Sequence, residues 1–250
     1  ARYAEAAADV AVESGDARAA AALLHELLVA ANHPAELHGR LARKLAQAAA
    51  VGAAHGDMGD QVAEILRAAI ARDDLGPADR GQLRLLFGRL LIIRCDLKAA
   101  FSELEQAIPD LADNPALAAR TMIALSWPWL GGRSVDEHRA WLGRAATLLP
   151  RLPSTAERIA LTADHATAQL MLGDDAGWQA VAELPTQADT PAARWELARG
   201  YSNISQVTLA WGRYGQARIL LQVAMELVDS TTYPLMLPTV RIIEAYLNYC

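Results

Sequence analysis

Residues 10–24, Val-Ala-Val-Glu-Ser-Gly-Asp-Ala-Arg-Ala-Ala-Ala-Ala-Leu-Leu, place a Gly-Asp turn between two segments of helical composition. A small residue followed by a charged residue recurs in the same way at intervals of about 40 residues. The six turns are Gly15-Asp16, Gly56-Asp57, Cys95-Asp96, Gly132-Arg133, Gly173-Asp174 and Gly212-Arg213. Regular self-similarity at this period is typical of stacked helical repeats.

A second set of residues, the prolines, supports the same phase. About midway between successive turns lie Pro34, Pro77, Pro115, Pro153, Pro191 and Pro238. Proline is tolerated in the first turn of a helix and ends a helix that would otherwise continue through it. Each unit is therefore predicted to hold a helix A that begins near a proline, a tight turn, and a helix B that ends before the next proline.

Composition points to helix throughout the chain. Alanine and leucine, which cost least to hold in a helix, number 53 and 36, and no convincing alternation of apolar and polar residues indicates a strand. We predict an all-α fold, a right-handed superhelix of about 13 helices. The expected organisation is one helical-repeat domain over residues 1–250, with six hairpins and a terminal helix at 238–250. Because the next turn would fall beyond the last residue, we expect a fragment of a longer protein, with an end that supports a homodimer.

Charge and hydropathy exclude several functions. The net charge is −6, and the 23 basic residues form no stripe, so we expect no direct contact with nucleic acid. No apolar run reaches the roughly 20 residues that cross a bilayer, and we expect no membrane contact and a cytoplasmic location. Cys95 and Cys250 lie far apart in the sequence, and Cys95 is expected to be a small buried residue in a reduced protein.

The sequence shows no arrangement of residues typical of catalysis. The six histidines form no His-Glu-x-x-His pair, and the acidic clusters lack the glycine and terminal glutamate of a calcium loop. There is no Gly-x-Ser-x-Gly motif and no phosphate-binding glycine loop. We therefore expect no enzyme activity, no metal and no cofactor.

The sixth unit resembles a tetratricopeptide repeat. Its turn, Gly212-Arg213-Tyr214-Gly215-Gln216-Ala217, is followed by Leu221 and Ala224, and Tyr201 stands where this family places an aromatic residue in helix A. The period of about 40 residues exceeds the ~34 of the family, and units two, four and five keep the turn but lose most other positions.

Residues 10–24 and the general Ala/Leu/Arg-rich texture also resemble the central region of large ATP-binding LuxR-type transcription regulators of the maltose-activator kind. In that family such repeats lie between a nucleotide-binding module and a helix-turn-helix domain, and neither module lies in these 250 residues. The resemblance implies a regulatory module that binds an inducer or a partner protein in its concave groove and relays the binding. The alternative is a free-standing adaptor scaffold for protein–protein assembly.

The aromatic residues are unevenly distributed, because all six tryptophans lie after residue 126. They indicate a core that uses bulky side chains, since aromatic residues more often fill cores than bind ligands, and the alternative is a ligand groove in units four to six. Pro128 leaves a similar choice. Either helix A of unit four ends at Ser126, or the proline kinks that helix and shapes a pocket between Trp127 and Trp129.

Phasing helix A on the tetratricopeptide pattern predicts a groove surface. With Trp127, the candidate ligand-binding residues are Arg89, Ser126, Trp129, Thr167, Arg199, Ser202 and Gln206. This surface is polar and mixed, and it lacks the row of basic residues that would hold a carboxylate. A solvated groove with no ligand is the other interpretation of the same residues.

Overall fold

The computed structural model describes residues 2–31, 33–52, 56–130, 132–152, 155–228 and 236–249. Across these ranges the chain forms thirteen α-helices and no strand, so the all-α prediction is confirmed. None of the helices in these ranges is both long enough and apolar enough to cross a membrane. The chain divides into two compact units: residues 1–121 with 130–132, and residues 122–129 with 133–250.

The N-terminal unit consists of consecutive helices joined by short turns. They are α1 (Arg2–Glu13), α2 (Ala17–Ala30), α3 (Ala35–Gly52), α4 (Gly56–Ile70), α5 (Pro77–Ile93), α6 (Leu97–Asp110) and the first part of α7 (Pro115–Leu125). The odd-numbered helices are the A helices of the predicted hairpins and the even-numbered ones are the B helices. Helix α3 contacts α2, α4 and the next A helix, α5, so packing runs between neighbours as in a repeat protein.

The C-terminal unit follows the same order. It comprises the end of α7, α8 (Val135–Ala146), α9 (Thr155–Met171), α10 (Ala176–Glu183), α11 (Pro191–Ala210), α12 (Tyr214–Leu227) and α13 (Met236–Tyr249), with short 3₁₀ turns at Pro128–Leu130 and Leu149–Arg151. Helix α11 contacts the preceding A helix, α9, and also α12 and α13. The terminal helix begins at Met236, two residues before its predicted start. Pro153 and Cys250 lie outside the described residues.

The recurring turns share a left-handed backbone. Among the described residues, positive φ occurs only at Gly15, Gly56, Cys95, Gly132, Gly173 and Gly212. In four of these turns the next residue donates its N–H to a carbonyl in the last turn of the preceding helix: Asp16 to Ala11, Asp96 to Leu91, Asp174 to Gln169 and Arg213 to Thr208. This is the Schellman arrangement, which satisfies carbonyls at the helix end and requires the left-handed residue.

Two expectations about these connections are wrong. Cys95 is exposed, not buried, and has a φ of 61°, because it occupies the left-handed position of a surface turn that is glycine in the other five. Pro109, the first proline after the Cys95 turn, lies inside α6, so this B helix continues past the proline before which it was expected to end. Pro128, by contrast, lies outside an α-helix, because α7 already ends at Leu125.

Small residues set the closest helix crossings. A Cβ atom added at Gly200 on α11 would lie 2.6 Å from the Cβ of Ala163 on α9, a distance that real Cβ atoms do not reach. At Gly88 on α5, an added Cβ would lie 2.8 Å from the side chain of Leu104 on α6. Glycine at these two positions lets the helices approach closely, because the side chains of the neighbouring helix occupy the space that a Cβ would need.

Ion pairs join successive A helices in both units. In the N-terminal unit, Glu5 and Asp9 of α1 accept hydrogen bonds from Arg40 and Lys44 of α3 at 2.7–3.1 Å. In the C-terminal unit, Asp164 of α9 accepts two hydrogen bonds from Arg199 of α11, at 2.7 and 3.0 Å. Such pairs add orientation to the apolar packing between neighbouring hairpins.

Candidate functional site

An open depression of about 570 Å³ lies on the A-helix side of the C-terminal unit. We call it the aromatic depression, and its lining residues are Trp127, Pro128, Trp129, Asp164, Thr167, Met171, Asn203, Gln206, Val207, Ala210 and Trp211. Helix α9 contributes residues 164, 167 and 171 and helix α11 contributes 203, 206, 207 and 210. Both sets have the i, i+3, i+4, i+7 spacing of one helix face, so two parallel rows of side chains form its floor.

The segment after α7 supplies one wall. Helix α7 ends at Leu125, and Pro128–Leu130 form a single 3₁₀ turn, since proline lacks the N–H that would continue an α-helix. The Trp127 and Trp129 rings stack with centroids 5.1 Å apart and an interplanar angle of 26°. Trp127 is half-buried and Trp129 is 44% exposed, so one face of the pair remains open to a ligand.

This geometry resolves the two interpretations of Pro128. The helix ends before the proline, at Leu125, one residue before the end at Ser126 given by the first alternative, and the proline does not kink it. A depression next to the two indoles nevertheless exists, because the 3₁₀ turn orients both side chains toward α9 and α11.

Trp211 forms the opposite wall. It lies at the C-terminal end of α11, and its indole Nε1–H donates a hydrogen bond of 3.0 Å to the carbonyl oxygen of Leu170 on α9. The ring is 56% exposed although the hydrogen bond fixes its orientation. On its other side, Trp211 borders a smaller depression of about 270 Å³ in which the Arg213 guanidinium lies 4.8 Å from the centroid of the Trp178 ring.

Asp164, a charged side chain in the lining, already has an ion-pair partner. Asp164 accepts two hydrogen bonds from Arg199, and the Arg199 Nε–H donates a third, of 2.8 Å, to Glu196. Burial by itself would lower the pKa of Arg199, but the carboxylates of Asp164 and Glu196 outweigh it and raise that pKa above its ordinary value. Arg199 therefore keeps its charge at all physiological pH values, and its guanidinium, bound to the two carboxylates, is not free to bind a ligand in the depression.

The remaining polar groups are amides and one hydroxyl. The side-chain amides of Asn203 and Gln206 make no hydrogen bond to the described part of the chain, and so they are available to a ligand. The Thr167 hydroxyl donates to the Ala163 carbonyl at 2.7 Å. A surface of three indoles, a methionine and two free amides is suited to a flat or apolar molecule with a few hydrogen-bonding groups.

The structure brings four of the eight predicted site residues together. Trp127, Trp129, Thr167 and Gln206 all line the aromatic depression. Arg199 does not line it, because its guanidinium is occupied by the two carboxylates, although it holds Asp164 in place.

The other three candidates lie elsewhere. Ser126 is fully buried and donates its hydroxyl to the Ile123 carbonyl at 2.6 Å. Ser202 is 2% exposed, with a hydroxyl that has no hydrogen-bond partner among the described residues. It is one position out of phase with Asn203, which faces the depression. Arg89 belongs to the N-terminal unit and lines a separate depression there.

Several lining residues were not among the eight candidates predicted from the sequence. They are Pro128, Asp164, Met171, Asn203, Val207, Ala210 and Trp211. The helical period around Thr167 would have given residues 164 and 171 directly. Trp211 carried no such signal, since its position follows from the turn at Gly212 and from a hydrogen bond to another helix.

No metal centre accompanies this site: the described residues contain no group of three histidine, cysteine, aspartate or glutamate side chains close enough to hold a metal ion. The sequence matches no protein-family model, and no curated protein matches it significantly. The chemistry of the depression therefore provides the basis for assigning a function.

Proposed function

We propose that this chain is the sensor module of a larger cytoplasmic transcription regulator, and that it binds an inducer in the aromatic depression. The observation that carries the proposal is the pair of fixed indole walls, Trp127–Trp129 on one side and Trp211 on the other, around an open space of about 570 Å³. This volume lies within the range of small-molecule sites, which are mostly apolar with a few placed polar groups.

The expected ligand is a small organic molecule with a flat or apolar face. An aromatic ring gains from stacking on an exposed indole, and Asn203 and Gln206 would hydrogen-bond its polar edge. An anion is not favoured, because the Arg199 guanidinium is already bound to Asp164 and Glu196.

Binding would be relayed through the helices that form the floor. A ligand that touches α9, α11 and the segment after α7 fixes their relative orientation, and in a repeat protein the interface between neighbours contributes separately to stability. The resemblance of residues 10–24 to LuxR-type regulators supports a role in transcription control, with the relay acting on ATP-binding and DNA-binding modules.

The experiment is an isothermal titration, with tryptophan fluorescence in parallel, of a metabolite panel that includes indole and adenosine as flat-ring probes. We expect at least one panel member to bind. We expect Trp129→Ala to lower the affinity for this ligand at least tenfold and to leave the melting temperature unchanged. Trp141→Phe is the matched control, since Trp141 contacts Arg144 at 4.2 Å from its ring centroid and does not line the depression.

The same titration separates the sensor from the adaptor scaffold. Binding that is lost in Trp129→Ala and kept in Trp141→Phe supports the sensor. If neither this chain nor the full-length protein binds any panel member, the result contradicts the sensor proposal and favours an adaptor. A Trp129→Ala variant that fails to fold would show that this indole is part of the core.

A further inference from the structure

The N-terminal unit has a depression of about 260 Å³ with a different chemistry. We call it the basic depression, because Arg40, Arg43 and Lys44 of α3, Arg89 of α5 and Arg120 of α7 line it. No acidic residue lines it. The five side chains come from three successive A helices. The three that lie in α3 have the spacing of a single helix face. Sequence reasoning missed this convergence because the five residues are spread over 80 positions of sequence.

Arg40, Arg43 and Lys44 have carboxylate partners at the rim. Arg40 and Lys44 share Glu5, Lys44 also binds Asp9, and Arg43 forms an ion pair with Asp79. The hydrogen bonds from Arg40 and then Lys44 lower the pKa of Glu5 to about 2. These pairs balance three positive charges with three negative ones and hold the basic side chains in fixed orientations.

Arg120 is different. It is half-buried, it lines the basic depression, and it makes no ion pair or hydrogen bond with the described residues. Its guanidinium therefore retains a full positive charge and five N–H donors. A half-buried guanidinium without a partner is the kind of group that gains from a bidentate carboxylate or phosphate.

The rest of the lining limits the size and character of the ligand. Gln47 and Gln82 add amide donors, and Leu85, Leu86 and Leu117 form an apolar wall. The volume is smaller than that of most sites for drug-sized molecules. The chain carries a net charge of −6, which opposes the approach of a long polyanion such as nucleic acid.

We propose that the basic depression is a second ligand site, and that it binds a compact organic anion through Arg120. The anionic group is a phosphate or a carboxylate, and an apolar part of the same molecule lies against the leucine wall. This site is separate from the aromatic depression and does not depend on it, since its lining residues all belong to the N-terminal unit.

The test is isothermal titration at constant ionic strength with phenyl phosphate, benzoate and the neutral benzyl alcohol. We expect phenyl phosphate or benzoate to bind and benzyl alcohol not to bind. Binding of the phosphate alone identifies a phosphate ligand, and binding of the carboxylate alone identifies a carboxylate. We expect Arg120→Gln to weaken binding at least tenfold and Arg120→Lys to retain part of it, because lysine keeps the charge and loses the bidentate geometry.

The matched control is Arg139→Gln on α8, whose side chain is 54% exposed and lies 3.6 Å from Asp136. It removes the same charge from the chain and should leave binding unchanged. Equal weakening in Arg139→Gln and Arg120→Gln would show a general charge effect and overturn the proposal. So would the absence of binding by both anions, or equal binding of benzyl alcohol. Trp129→Ala should bind phenyl phosphate normally, which keeps a failure here distinct from a failure of the sensor proposal.

Discussion

The two units use similar helix positions to build surfaces of different chemistry. In the N-terminal unit the A-helix face presents basic side chains beside three leucines, whereas in the C-terminal unit it presents three tryptophans, a methionine and free amides. Both faces follow the i, i+3, i+4, i+7 spacing, and both units join successive A helices by ion pairs. The comparison shows that equivalent positions on the A helices carry different side chains, which give the two surfaces different chemistry.

The largest expected effect comes from overpacking a close helix crossing, a feature that occurs within each unit. Gly200→Leu should lower the free energy of unfolding by roughly 3 kcal/mol or more, because overpacking a tight helix crossing displaces the neighbouring backbone. The nearest atom in its way is the Ala163 Cβ, 2.6 Å from an added Cβ. Chemical denaturation followed by circular dichroism measures the loss.

Gly143→Ala is the control for this prediction. Gly143 lies within α8, and an added Cβ there has no heavy atom within 4 Å, so alanine should stabilise the helix by up to about 1 kcal/mol. If Gly200→Leu proves as harmless as Gly143→Ala, the close approach of α9 and α11 is not what holds the C-terminal unit together.

An intermediate effect tests the ion pairs of the N-terminal unit. The folded-state pKa of Glu5, about 2, lies below its ordinary value of 4.5. Its stabilisation is therefore fully present above pH ~4.5 and is lost as the pH falls toward 2. Glu5→Gln should cost about 1 kcal/mol at pH 7, as expected for a partly exposed network, and clearly less at pH 2, where about half of the Glu5 carboxyl groups are protonated.

Denaturation of the wild type and Glu5→Gln at a series of pH values measures this difference, with Glu13→Gln on the same helix as the control. Glu13 is exposed, and its replacement should have no effect at either pH. A Glu5→Gln cost that persists unchanged at pH 2 would mean that the ion pair with Arg40 and Lys44 is not its cause.

The smallest effect concerns the turns. Cys95 is the one non-glycine residue with positive φ among the described residues, and a non-glycine residue pays about 1–2 kcal/mol there. Because glycine also costs more chain entropy on folding, Cys95→Gly should stabilise the N-terminal unit by a net ~0.5–1 kcal/mol. Thermal unfolding detects the shift, and Cys95→Val should move it in the opposite direction.

The fold could be predicted from sequence because its signals are local. Glycine at the left-handed position of a helix end and proline at a helix start act within a few residues, and alanine and leucine favour helix at each position. The buried state predicted for Cys95 failed because the general preference of cysteine for cores does not apply in a turn whose backbone conformation places the residue on the surface.

The site could be predicted only in part, since it depends on how helices face one another. The indoles of Trp127 and Trp129 were found because Pro128 marks an irregular connection. Ser202 was chosen in place of Asn203 because an error of one residue rotates a helix face by about 100°. Arg89 could not be assigned to the correct surface, because nothing in the sequence says which A helices contribute to one depression.

The most direct test of the two-surface account is to measure both ligands on both single variants, Trp129→Ala and Arg120→Gln, by isothermal titration. The account predicts that Trp129→Ala no longer binds the flat-ring ligand but still binds phenyl phosphate. Arg120→Gln should show the reverse pattern. A folded single variant whose affinity for both ligands falls equally would contradict the existence of two independent binding surfaces.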